Sequence, residues 1–225
     1  GDATVAAPVG TLGNGIVVGS TADTVINSTG NVSVDIGTGT GYGIQATGLR
    51  NTVVSRGNIA SDAAGIVTNG AMNPTTFVNG VAEVTQIDSV GDISTSQDVD
   101  ASAIWARGNQ VSVASTGTLT TQGNYASGIV AARNYRGPVG ANAEVVDFGG
   151  TSASVTNKGD ITTQGTSSYG ILVGSAGATT VRTEGRITTA GQSAAGIRAT
   201  GSSVTIDSLG SIRTSGAGGQ GMLVS

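Results

Sequence analysis

The sequence predicts an all-β protein: a right-handed, triangular parallel β-helix of about 25 residues per turn and about eight turns. One phrase recurs along the chain. It reads Val155-Thr-Asn-Lys-Gly159-Asp-Ile161-Thr-Thr163 and then Val181-Arg-Thr-Glu-Gly185-Arg-Ile187-Thr-Thr189, and each copy is followed by a Gly-Ile pair, Gly170-Ile171 and Gly196-Ile197. Such a repeat is too short for a domain and is made of strand-forming residues, the mark of a solenoid that coils once per copy. The composition agrees. With 38 Gly and only 3% aromatic residues, the chain lacks the large side chains that fill a globular core. Its interior must be narrow, lined by Val, Ile, Ala, Thr and Ser. Hydrophobic residues make up 37% and recur on schedule, which separates the chain from a disordered Gly/Ser/Thr tract.

The first strand of each turn leads into an anchor glycine: Gly30, Gly57, Gly91, Gly117, Gly159, Gly185 or Gly210. Four residues before it stands a β-branched apolar residue (Ile26, Val53, Ile87, Val113, Val155, Val181, Ile206), and two before it a small polar one (Ser28, Ser55, Ser89, Ser115, Asn157, Thr183, Ser208). Side chains alternate along a strand, so these positions share one face, the interior. The anchor itself predicts a sharp corner, where a positive φ or a close backbone approach excludes a Cβ. The second strand follows, with Val32, Ile59, Ile93, Leu119, Ile161, Ile187 and Ile212 two residues past the corner. Two residues further on, most copies place a Ser or Thr inward. A third strand opens on Gly-Ile or a close variant, as in Gly43-Ile44, Gly65-Ile66, Ala103-Ile104, Gly128-Ile129 and Gly221-Met222.

Stacked turns lie about 4.8 Å apart, so like residues form columns along the rod. Inward hydroxyl and amide columns are acceptable only if they pair with one another or with backbone. The whole chain, 1–225, reads as a single β-helix domain and as a piece of a longer solenoid. Two insertions interrupt it, at about 69–83 and 132–153, and both leave after a third strand. Insertions on one edge of a repeat array map to one surface, and loops on a rigid scaffold are where function concentrates.

The outward column of the third strand reads Val17, Gln45, Val67, Trp105, Val130, Leu172, Arg198, Leu223, a nearly continuous apolar stripe around the single Trp. We expect the insertions to fold over it with Phe77 and Phe148, or another chain to cover it. The candidate contact surface is therefore Val67, Trp105, Val130, Leu172, Phe77, Tyr135 and Phe148.

Chemistry is harder to place. Glycoside hydrolysis needs two carboxylates at a working separation. The column after the anchor glycine, Asn31, Asn58, Asp92, Thr118, Asp160, Arg186, Ser211, scatters its charges, with Asp160 beside Arg186 reading as a surface ion pair. His is absent, and with it the usual acid–base group near neutral pH. Calcium-binding β-rolls need a Gly-Gly-x-Gly-x-Asp repeat that the chain does not contain. No catalytic residue, metal site or cofactor is expected. Ten basic residues, nine of them Arg, stand against fourteen acidic ones, with no basic block, which disfavours nucleic acid and anionic membrane as partners. No segment reads as membrane-inserting. The absence of Cys fits an exported bacterial protein.

The phrase Asn157-Lys-Gly-Asp-Ile-Thr-Thr-Gln-Gly165 followed by Ser168-Tyr-Gly-Ile171 resembles the passenger domains of bacterial autotransporters and related surface β-helix adhesins. The resemblance covers nearly all of the chain outside the insertions. It implies secretion through the outer membrane and display of a stiff stalk at the cell surface. The expected function is accordingly structural and adhesive, in cell-surface contact or biofilm-type association. The expected partners are host or neighbour-cell surface glycans or proteins, or further copies of the chain, end to end or side by side. A self-assembling subunit of an extracellular filament is the alternative, and a polysaccharide-active β-helix enzyme a second one.

Overall fold

The structure, a computed structural model, describes residues 3–6, 13–35, 41–70, 80–97, 100–136 and 145–225. These residues form strands and corners without a helix. The chain is a parallel β-solenoid of roughly 26 residues per turn. Three sheets run along the rod. The first-strand sheet has seven strands, from Asp23–Thr29 to Ser203–Ser208, and the other two have eight each, ending at Ile212–Thr214 and Gln220–Val224. The described strands thus make about seven complete turns, preceded by a partial turn formed by Ala3–Ala6 and Ile16–Gly19. At the usual strand spacing, eight stacked strands span about 34 Å.

Register follows the columns read from the sequence. Ile59, Ile93, Leu119, Ile161, Ile187 and Ile212 are successive partners in the second sheet. In the first sheet, Asp23–Thr29 alternates exposed and buried residues, with Thr24, Ile26 and Ser28 inside. The core is one apolar column stack from Ile26 to Ala199, to which Val204, Ile206 and Ile212 of the last turn add partly buried side chains. Met222 and Val224, at inward positions of that turn, are 52% and 55% exposed, because no further turn lies over them.

Both effects expected at the anchor glycines occur. Gly57 has φ +142°, in the region that L-residues avoid, and a Cβ there would run into the Gly30 carbonyl of the turn below. Further along, Gly159 is not among the positive-φ residues, yet a Cβ on it would collide with the Gly117 carbonyl in the same way. The corner before the third strand uses a different device. Asp100, Tyr125, Ser167 and Ser193 all take φ between +52° and +63°. Each turns its N–H onto a carbonyl of the next turn, those of Asn124, Thr166, Gln192 and Ala217 respectively.

The insertions do not disturb the stack. Val53 pairs with Ile87 across the first and Val113 with Val155 across the second. At the first, exit and return touch, since a Cβ on Gly70 would meet the Gly80 carbonyl. At the second, a short antiparallel hairpin, Asn134–Arg136 with Val145–Asp147, precedes the return, where the Thr151 N–H donates to the Asn109 carbonyl at 2.7 Å.

Candidate functional site

The third face is where the structure departs most from a bare rod. Its outward stripe points away from the core but not into solvent: Val67, Val130 and Leu172 are 1% exposed or less and Trp105 is 7% exposed. These residues form a second apolar cluster with Ala64, Tyr169 and Ala195, against which Tyr42, Val146 and Phe148 pack. Val146 and Phe148 belong to the second insertion. The Phe148 ring lies against Gly174, where any Cβ would strike it. An Arg133–Asp147 ion pair (3.2 Å) ties the hairpin base, and Asp147 also accepts the Gly149 N–H at 2.8 Å. Of the candidate contact residues, Val67, Trp105, Val130 and Leu172 are therefore brought together as the floor of an internal layer, with Phe148 as part of its cover. They are not an outer surface, because burying an apolar stripe under the chain's own insertion is favourable at about 25 cal/mol per Å². Tyr135 is placed by its backbone opposite Val146 in the hairpin. Phe77 lies outside the described residues.

Two arginines border this layer. The Arg107 guanidinium stacks 3.8 Å from the Trp105 ring centroid, and Arg198 donates to the Tyr169 hydroxyl at 3.2 Å while lying 5.7 Å from that ring. Such contacts contribute about 0.5–1 kcal/mol each where solvent reaches them.

The other two faces present short polar side chains. The column after the anchor glycine, which the sequence shows only as scattered charge, is a hydrogen-bonded ladder. Asn31 Oδ1 accepts the Asn58 N–H, Asn58 Oδ1 the Asp92 N–H, Asp92 Oδ1 the Thr118 N–H and Asp160 Oδ1 the Arg186 N–H, at 2.7–2.9 Å. Each side-chain oxygen therefore caps the corner amide one turn on, where the chain bends out of the sheet ladder and the N–H would otherwise face water alone. The recurrence of Asn or Asp after the anchor glycine was the available signal. Asp160 also lies 3.7 Å from the Arg186 guanidinium, the ion pair read from the sequence. Arg50–Asp23 and Arg56–Asp88 pair similarly on the first face, and Asp23 raises the already high Arg50 pKa through a hydrogen bond and its charge.

A shallow groove on the second face is lined by Ser33, Asp35, Ala60, Asp62, Ser94, Ser96 and Gln122. Asp62 in it accepts the Ser96 hydroxyl at 3.0 Å. Among the described residues no three His, Cys, Asp or Glu side chains group to hold a metal ion, and no helix is long and apolar enough to cross a membrane.

No known protein family, curated protein or solved structure matches this chain.

Proposed function

We propose that the protein is an exported bacterial surface stalk, a stiff β-solenoid that holds adhesive contacts away from the cell, in cell-surface or biofilm-type association. The observation that carries this reading is the continuity of the rod: one register runs through both insertions, while Val146 and Phe148 of the chain's own hairpin pack on the apolar cluster of the third face. A structure of this kind resists bending, because every turn is hydrogen-bonded to the next along three sheets. What remains for partners is the polar exterior of the first and second faces, rich in Ser, Thr, Asn and Asp. That surface suits hydroxyl-bearing glycans or the polar surface of another protein.

A second reading is a self-assembling filament subunit, in which another copy would cover the inward residues Met222 and Val224. Negative-stain electron microscopy over a concentration series, with binding to cell and glycan-coated surfaces, tests both. Isolated short rods that bind a surface support the stalk. Rods that lengthen with concentration and ignore surfaces refute it in favour of the filament.

A further inference from the structure

The two inward polar columns of the solenoid are treated differently by the backbone. In the second strand, Ser61, Thr95, Thr121 and Thr163 each donate a hydroxyl hydrogen bond to the corner that follows, at the carbonyls of Ala63, Ala101, Ala126 and Ser168, whereas Thr189 of the same column has no partner. In the first strand, two residues before the anchor glycine, the hydroxyls of Ser55, Ser89 and Ser115 have no hydrogen-bond partner in the protein. Yet they are 0%, 0% and 2% exposed, and they stack directly over one another in register.

The next residue of that column fills the position with a longer side chain, at a corner whose Gly159 lacks the positive φ of Gly57, Gly91 and Gly117. Asn157, paired with Ser115 and 0% exposed, occupies the same inward position with two more heavy atoms than Ser. Its Nδ2 donates to the carbonyl of Gly159, the anchor of its own turn. At the far end of the column Ser208 reaches the equivalent Gly210 carbonyl only at 3.5 Å, so a serine by itself is too short to close this bond well. Two heavy atoms of missing side chain are about the space of one water molecule.

We propose that the corner between the first and second faces holds a file of internal water molecules, one beside each of Ser55, Ser89 and Ser115, and that the Asn157 amide takes the place of that water in the following turn. The partners are the serine hydroxyl, the anchor carbonyl of the same turn (Gly57, Gly91 or Gly117) and the serine hydroxyl of the adjacent turn. Three partners are the usual complement of a buried water. The spacing fits: hydroxyls about 4.8 Å apart, bridged by two bonds of about 2.8 Å, subtend about 120° at the water oxygen. The file ties successive turns at the corner in addition to the backbone bonds that Gly57 and Gly91 donate to the Val90 and Thr116 carbonyls.

A crystal structure of the full chain at atomic resolution tests this, alongside Ser89→Asn. The expected result is a water within hydrogen-bond reach of Ser89 Oγ and a neighbouring serine hydroxyl, absent in Ser89→Asn, with the new amide nitrogen on the Gly91 carbonyl. Wild-type density with no water beside any of the three serines overturns the proposal, as does a variant that keeps the water and turns its amide outward. Should the variant fail to fold, water-to-protein Overhauser transfer in the wild type decides. Long-lived contacts to the Ser89 Hβ protons are expected, and their absence rejects the file.

Discussion

Replacing Ile161 by Ala removes three carbons from a side chain that is 0% exposed and sandwiched between Leu119 below and Ile187 above. The neighbouring turns are fixed by their own hydrogen bonds and close the gap only in part, so the lost transfer energy is joined by a cavity cost. Together they amount to about 3 kcal/mol within the usual range for such truncations. With a urea dependence of about 3 kcal/mol per M, the unfolding midpoint falls by about 1 M. The adjacent Thr162 points outward in the same strand, half-buried, so Thr162→Ala should shift stability by no more than about 0.5 kcal/mol. Urea unfolding followed by circular dichroism and by Trp105 fluorescence reads both variants. An Ile161→Ala midpoint within 0.2 M of wild type, on the order of 0.5 kcal/mol, would refute the inward assignment of this column, as would a Thr162→Ala loss of equal size. Ile161→Asp carries the same logic further: a carboxylate between two apolar neighbours in a narrow interior should leave no folded chain to measure.

Gly57→Ala should cost about 2 kcal/mol or more, combining a positive φ with the Gly30 carbonyl collision, whereas Gly19→Ala, with nothing within 4 Å of the new Cβ, should be neutral or slightly stabilising; paired thermal melts compare them. Phe148→Ala should lower stability by about 2 kcal/mol and uncover Leu172, read as new binding of a hydrophobic dye and faster proteolysis in the hairpin. Asp160→Asn retains an oxygen for the Arg186 N–H and should cost under about 0.5 kcal/mol, while Asp160→Ala loses the ladder bond and should cost about 1 kcal/mol, a difference that persists in high salt if the ladder rather than the ion pair matters.

Most of the scaffold was legible because a solenoid writes its core in the sequence once per turn. Ile26, Val53 and Ile87 stand at one spacing from Gly30, Gly57 and Gly91, and each is buried as that spacing requires. The turn count differs only at the start, where Ile16–Gly19 belongs to a partial turn. The candidate surface was less legible. Alternation places Val130 and Leu172 on the outside of the sheet, but it does not say that Val146 and Phe148, 16 to 26 residues away along the chain, return to pack on their cluster. That contact depends on the path of a non-repeating hairpin, for which no column exists to read. The ladder was missed for the opposite reason. Asp92 and Asp160 read as scattered charges in a search for paired carboxylates, whereas their oxygens, like that of Asn58, are spent on the amide one turn on. The inward serines were expected to pair with one another or with backbone, and the three in the middle turns do neither.

The places where the insertions leave and rejoin the rod touch each other, Gly70 against Gly80 and Arg133 and Asn134 against Asp147, while the strands on either side keep their partners. Closing a longer loop between ends already in contact costs only about 0.6 kcal/mol per doubling of its length. The rod can therefore carry the first of these segments as a cassette: what the molecule displays there is free to diversify at a rate the scaffold never feels, and a foreign peptide grafted between residues 70 and 80 should be carried on the same unbroken register.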